Sequence, residues 1–145
     1  VWTDPFYKEL QAVLDEQFGA GNSFIVSSDR AEKKFLIFMA KPNQPGAYYI
    51  FDTVSGKMAL LGYRKNSLGL AELNPVTAFR YTASDGESIE AIMTWPRHRK
   101  QTKGLPLVIL THGGPFGPRD TMDFDDWAQS VAELGYVVVQ PNYRG

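Results

Sequence analysis

The chain has 145 residues, of which 43% are hydrophobic and 13% aromatic, and its formal net charge is −1. This balance is typical of a globular protein and disfavours nucleic acid or an anionic membrane as a partner. The absence of cysteine excludes disulfides, thiol catalysis and cysteine-ligated zinc. No apolar run approaches the roughly 18 residues of a membrane helix, and no signal-peptide pattern is visible. We therefore expect a cytoplasmic protein, with a periplasmic location as the alternative.

The first segment has the pattern of an amphipathic helix. Asp4 supplies a capping side chain, and Pro5 suits the first helical position. Gly19 is placed to end the helix. Between them, apolar residues recur at helical spacing: Phe6, Leu10, Val13, Leu14 and Phe18. The pattern predicts a structural helix that packs on a neighbouring element.

Short β-type runs follow, separated by turn residues. We predict strands at 24–27, 35–40, 47–51 and 58–61, with the central break at 42–46. Four antiparallel strands in about forty residues have the size of one β-propeller blade. A single unit is not a repeat, so the residues alone only suggest a blade.

A polar connector over 64–75 indicates a boundary between domains 1–75 and 76–145. Beyond it, runs at 77–83 and 88–95 flank Asp85-Gly86, which is a hairpin signal. A basic run then surrounds His98. It lacks interleaved aromatic residues, so we interpret it as a solvated loop rather than a nucleic-acid site.

The most informative stretch runs from an apolar segment at 107–110 to a second one at 136–139. Between the two lie a His-Gly-Gly-Pro turn and a helical pattern, whose apolar members are Phe124, Trp127, Val131 and Leu134. Strand, turn, helix and strand in this order predict a β-α-β unit, hence a mixed sheet with a crossover helix. Ligands bind such sheets beyond the carboxyl ends of strands, where the glycine turn falls.

The glycine turn has a specific chemical use. Residues without a Cβ let backbone N–H groups approach a ligand closely, and such donors stabilise an oxyanion during acyl transfer. Gly114, with Gly113, is the predicted oxyanion donor. His112, Pro115 and Arg144 are candidate substrate-binding residues. For His112 and Arg144 we favour a structural role, which is to hold the surrounding loops, over direct binding of substrate.

A group of aspartates precedes the predicted helix: Asp120, Asp123, Asp125 and Asp126. Their spacing is not that of a calcium loop, which needs alternating ligands, a glycine and a distal glutamate. Carboxylates at a helix start instead cap free N–H groups and interact favourably with the helix dipole. We therefore interpret them as helix-start residues and expect no metal site.

Three phrases together resemble the prolyl oligopeptidase family of serine peptidases, especially its acylaminoacyl peptidase and dipeptidyl peptidase branches. They are His-Gly-Gly-Pro at 112–115, Glu-Leu-Gly-Tyr-Val-Val-Val at 133–139 and Asn-Tyr-Arg-Gly at 142–145. The resemblance implies a β-propeller joined to an α/β-hydrolase domain. The chain would then hold the N-terminal helix and last blade, followed by the N-terminal part of the hydrolase domain. It also implies hydrolysis of short peptides by acyl transfer to a serine, without a metal or organic cofactor.

The catalytic serine itself is missing. No Gly-x-Ser-x-Gly motif occurs in the chain. In the resembling family the nucleophile, acid and histidine follow the Asn-Tyr-Arg-Gly phrase, so all three would fall after Gly145. We therefore expect the isolated chain to be inactive on peptides and esters, with the remainder of its own polypeptide as a partner.

Two other functions stay open. A carboxylesterase of the same fold uses a similar loop, usually with a third glycine at the position of Pro115, and further blades upstream of Val1 would favour the peptidase. A noncatalytic scaffold fragment is the third possibility. Because the predicted sheets would end in unpaired apolar strands, we also expect an oligomer through exposed strand edges.

Overall fold

The computed structural model describes residues 2–101, 103–114 and 116–143. The chain divides into two compact units between Ala71 and Glu72. The first contains, in order, α1 (Pro5–Phe18), β1 (Ser23–Ser28), β2 (Lys34–Lys41), β3 (Gln44–Asp52) and β4 (Lys57–Tyr63). The second contains β5 (Val76–Thr82), β6 (Ser88–Thr94), β7 (Leu107–Ile109), α2 (Asp126–Glu133) and β8 (Val137–Pro141). The domain boundary at 75/76 stays a prediction.

Helix α1 begins and ends as its sequence predicts. The Asp4 carboxylate accepts a hydrogen bond from the Phe6 N–H at 2.8 Å, and proline occupies the first turn. Gly19 ends the helix at a φ of 87°, a conformation that favours glycine. Only part of the apolar pattern is buried: Leu10 and Leu14 are inside, whereas Phe6 and Val13 are 43% and 47% exposed.

The first sheet is an antiparallel meander in the order β1-β2-β3-β4. Phe35 and Ile37 of β2 are fully buried and pack against Leu10 and Leu14 of α1. The four predicted strands are confirmed, but the predicted break at 42–46 is too long. Strand β3 already begins at Gln44, which pairs with Lys41. Pro45 and Gly46, which suggested a longer turn, lie at an irregularity of the ladder between the pairs Lys41–Gln44 and Met39–Ala47.

The second sheet is mixed, with the strand order β5-β6-β8-β7. Strands β5, β6 and β8 pair antiparallel, and β7 pairs parallel to β8. Helix α2 connects the two parallel strands, which confirms the predicted β-α-β unit. Gly86, at the tip of the β5–β6 hairpin, has a φ of 91°, as its turn requires.

The predicted apolar face of α2 is only partly correct, since Val131 packs against the buried cluster but two other members do not. Ala128 and Ala132 pack on Val138 of β8, whereas Trp127 and Leu134 are 74% and 73% exposed. Phe124 is buried, but it precedes the helix cap. Small alanine side chains let the helix approach the sheet closely, so the large residues are turned outward. The apolar run at 107–110 is likewise less buried than it looked, because Leu107 and Ile109 are exposed.

Within the described part of the chain, no helix is both long and apolar enough to cross a membrane.

Candidate active site

The His-Gly-Gly turn lies immediately beyond the carboxyl end of β7, where the sequence places it. The Leu110 N–H still pairs with the Val139 carbonyl at 2.9 Å, after which the chain leaves the sheet. Gly114 has a φ of 96°, and a Cβ there would lie 2.5 Å from Pro118 Cγ. A Cβ on Gly113 would meet no atom within 4 Å. The strict need for glycine therefore falls on Gly114, for both conformational and steric reasons.

His112 is held by contacts that involve Tyr143 and the backbone of the turn. The imidazole stacks on the Tyr143 ring, with centroids 4.3 Å apart and planes 13° apart. The Tyr143 hydroxyl donates to the His112 carbonyl at 2.5 Å. His112 Nδ1 lies 3.1 Å from the Gly113 carbonyl oxygen, which can only accept. Nδ1 must then carry the proton of this bond.

Asp120 lies at the end of the loop that begins at His112, and it is not a helix cap. Its N–H donates to Asn142 Oδ1 at 2.7 Å, and its carbonyl accepts from Asn142 Nδ2 at 2.9 Å. Its carboxylate accepts from Gln140 Nε2 at 3.1 Å. The helix-start interpretation is correct for Asp125, which caps the Ala128 N–H at 2.7 Å. It is wrong for Asp120, because this residue hydrogen-bonds to Gln140 of β8 and to Asn142, which follows the strand.

The electrostatics of this loop are unusual for an exposed turn. Burial raises the pKa of the Asp120 carboxyl, and the charge of His112 opposes that shift. Among the described residues, two buried side-chain atoms have no hydrogen-bond partner, namely His112 Nε2 and Asp120 Oδ2. Both belong to the loop that carries the glycine pair. A buried polar group without a partner in a native structure requires an explanation, such as strain, a functional role or a bound water or ion.

A cavity of about 240 Å³ opens beside the turn. Its lining includes His112, Gly113, Gly114, Phe116, Arg119 and Tyr143. Phe116 is 85% exposed. Arg119 donates to Glu90 at 3.3 Å. The cavity therefore combines backbone groups of the glycine turn with one free aromatic ring and one cation already engaged by a carboxylate.

Two of the candidate residues, Pro115 and Arg144, lie outside the described residues, and their roles stay predictions. The sequence did not predict that three further residues belong to the site: Asp120, Asn142 and Tyr143. Asn142 and Tyr143 contributed to the family resemblance, but nothing in their spacing indicates contacts with a loop more than twenty residues earlier.

In the part of the chain that the structure covers, no three acidic, histidine or cysteine side chains are grouped to hold a metal.

A second polar cluster involves the start of the basic run. Arg97 Nη2 and His98 Nε2 lie 3.0 Å and 2.6 Å from Glu133 Oε1. Arg97, and then His98, lower the pKa of Glu133 to about 2. Asn74 Nδ2 also donates to this carboxylate, at 3.1 Å. The run is an exposed loop, as predicted, and its start is also attached to the end of α2 because Glu133 offers it a carboxylate.

Relatives of this chain are peptidases. Dipeptidyl aminopeptidase BIII from Pseudoxanthomonas mexicana is 26% identical over 136 residues, which cover 90% of this chain and 20% of that protein. The uncharacterized peptidase YuxL of Bacillus subtilis is 27% identical over 124 residues, covering 86% of this chain and 18% of that protein. The chain thus spans about one fifth of these relatives. No protein-family model matches it.

Solved structures share the fold. An acylaminoacyl peptidase from Pyrococcus horikoshii aligns with a TM-score of 0.57 at 22% identity, covering 86% of this chain and 19% of that one. Oligopeptidase B from Leishmania major aligns with a TM-score of 0.61 at 16% identity, covering 85% and 18%. The chain therefore resembles a segment of the prolyl oligopeptidase class of peptidases in sequence and in fold. Its resemblance to the acylaminoacyl and dipeptidyl peptidase branches is confirmed.

Proposed function

We propose that these residues form part of a serine peptidase that hydrolyses short peptides by acyl transfer to a serine. In this proposal the Gly114 N–H, beside Gly113, supplies half of the oxyanion hole. The observation that carries it is the geometry of Gly114. A residue with φ of 96° packed against Pro118, at the carboxyl end of a parallel strand, presents backbone groups to a cavity.

The nucleophile, its base and the orienting acid are supplied by other parts of the polypeptide. A serine needs a base within hydrogen-bond reach to become nucleophilic. In the part of the chain that the structure describes, His98 bonds to Glu133 and His112 to the Gly113 carbonyl, and neither imidazole hydrogen-bonds to a serine. Peptide substrates and the remainder of the polypeptide are therefore the proposed partners, and neither a metal nor an organic cofactor takes part.

The proposal is tested in the complete gene product that contains these residues. Gly114→Ala places a Cβ against Pro118 and strains the backbone, so the loop must move. We expect turnover of a dipeptide anilide to fall by about 10²–10³, the effect of losing one oxyanion donor. Gly86→Ala is the matched control, since Gly86 has a similar φ of 91° and open space around it. Equal turnover in the two variants would show that the oxyanion hole lies elsewhere.

The same preparation separates the alternatives. A carboxylesterase would hydrolyse short acyl esters but leave dipeptide anilides intact. A noncatalytic scaffold would hydrolyse neither, and a fluorophosphonate would label no serine in it. We expect hydrolysis of the anilide, together with labelling of a serine outside residues 1–145.

A further inference from the structure

The loop that carries the two glycines is held at both ends by consecutive residues that follow β8. Tyr143 contacts His112 at the start of the loop, and Asn142 contacts Asp120 at its end. The glycine pair lies between the two contacts. If the proposed function is correct, these contacts act on the residues that must point their N–H groups at an oxyanion.

The contact at the end of the loop is an anchor. Asn142 is 5% exposed, and its side chain satisfies both backbone groups of Asp120, at 2.7 Å and 2.9 Å. Its own N–H donates to the Glu90 carbonyl of β6 at 2.9 Å. The position of Asp120 is therefore set by the sheet itself.

The contact at the start of the loop controls orientation. A peptide unit is planar and trans, so its C=O and the following N–H point in opposite directions. The Tyr143 hydroxyl binds the His112 carbonyl, which directs the Gly113 N–H away from Tyr143. His112 Nδ1 in turn lies within hydrogen-bond distance of the Gly113 carbonyl, which directs the Gly114 N–H away from the imidazole.

We infer that Tyr143 is a positioning residue that acts through His112 to orient the amides of Gly113 and Gly114 in series. The stacked rings hold the imidazole in place, and the hydroxyl fixes the first peptide plane. The hydroxyl is engaged by the His112 carbonyl, so the tyrosine acts through the turn. Its contribution is to fix the two donors before charge develops, which is where a preorganised site gains its effect.

The decisive variant is Tyr143→Phe in the complete gene product, because it keeps the stacked ring and removes only the hydroxyl. We expect kcat for a dipeptide anilide to fall roughly 10²-fold, the scale of a misplacement of catalytic groups, with KM within about two-fold of wild type. Affinity for a peptide aldehyde, which forms an oxyanion, should fall in parallel with kcat/KM. Affinity for the product peptide should not change. Tyr136→Phe is the control, since Tyr136 is a partly exposed tyrosine at the other end of β8.

The possible outcomes distinguish a failure of the inference about Tyr143 from a failure of the proposed function. A Tyr143→Phe enzyme with kcat and aldehyde affinity within two-fold of wild type overturns the inference and leaves the proposed function standing. A fall in melting temperature with an unchanged kcat per folded molecule, or a variant that does not fold, assigns Tyr143 a purely structural role and also overturns the inference. A wild-type protein that hydrolyses no anilide and binds no aldehyde overturns the proposed function, and the inference with it.

Discussion

Both units of the chain bury apolar side chains, but they differ in the polar side chains that they bury. In the first, Phe35 and Ile37 of the sheet pack against Leu10 and Leu14 of α1. In the second, Ile89 and Ile92 of β6 are buried as well as the cluster of Ala128, Ala132 and Val138 on α2 and β8. Among the residues that the structure describes, buried polar side chains are more numerous in the second unit: Asn74, Thr94, Gln129, Gln140 and Asn142, against Ser23 and Gln44 in the first.

Apolar burial and buried hydrogen bonds contribute differently to the stability of a fold and to its precise geometry. Burying a large apolar side chain stabilises a fold by about 1.5–3 kcal/mol, but the effect has no direction. A buried hydrogen bond contributes only about 1 kcal/mol net, yet it fixes distances and angles and is costly to break. The candidate site lies in the unit with more buried polar side chains, which suits the proposed role of holding backbone donors in place.

The largest effect is expected in the apolar core of the first unit. Leu14 is fully buried, so Leu14→Ala removes its transfer free energy and leaves a cavity between α1 and the sheet. We expect the free energy of unfolding to fall by about 2–5 kcal/mol, measured by urea denaturation of the gene product and followed by circular dichroism. Val13→Ala, on the exposed side of the same helix, is the control. Similar costs for both substitutions would mean that the helix does not pack as described.

A smaller loss is expected from the polar core of the second unit. Gln129 Oε1 accepts from the Asn74 N–H and Nε2 donates to the Asn74 carbonyl, both at 2.9 Å. Gln129→Leu keeps the volume but leaves two buried backbone groups unpaired, at a cost of about 2–4 kcal/mol. Ser130→Ala, at the exposed neighbouring position of α2, should change the free energy of unfolding by less than about 0.5 kcal/mol. A neutral Gln129→Leu would show that apolar packing, not hydrogen bonding, stabilises this unit.

The ion pairs of the second unit predict a pH dependence. The pKa of Glu133 is lowered from 4.5 to about 2, chiefly by Arg97. Its carboxylate therefore stabilises the folded state fully above about pH 4.5, and this contribution is lost as the pH falls towards 2. Because the side chain is 42% exposed, solvent screening reduces the effect to about 1 kcal/mol. Urea denaturation across this range should give a flatter curve for Glu133→Gln. Parallel curves would contradict the assignment.

The smallest effect on stability is expected at the edge of the second sheet. Leu107 of β7 is 57% exposed, and β7 is the last strand in the order of this sheet. Leu107→Lys should change the free energy of unfolding by less than about 0.5 kcal/mol. In the isolated 145-residue chain, a charged edge should reduce self-association through strand pairing. Sedimentation at micromolar concentration measures this. A wild-type chain that sediments as a compact monomer would refute the predicted oligomer.

Elements with a local cause were predictable. Asp4 and Gly19 bound α1, Asp85-Gly86 closes the hairpin, and the glycine turn follows β7 because each depends on neighbouring residues only. The buried face of α2 was not predictable from periodicity, since Trp127 and Leu134 satisfy helical spacing as well as the alanines do. Which side faces the sheet depends on how closely the helix must approach Val138. The strict requirement at Gly114 also needed the structure, because it comes from Pro118.

By itself, the sequence determined the two kinds of sheet, the β-α-β unit and the place of the glycine turn. Only the tertiary structure decided which polar groups meet. Tyr143 binds a carbonyl 31 residues earlier, and Asn74 pairs with a glutamine 55 residues later. Hydrophobic patterns can be recognised in the sequence because helices and strands place apolar residues at a characteristic spacing. A hydrogen bond depends on the separation and angle of two atoms, and only the folded backbone brings such distant groups within reach.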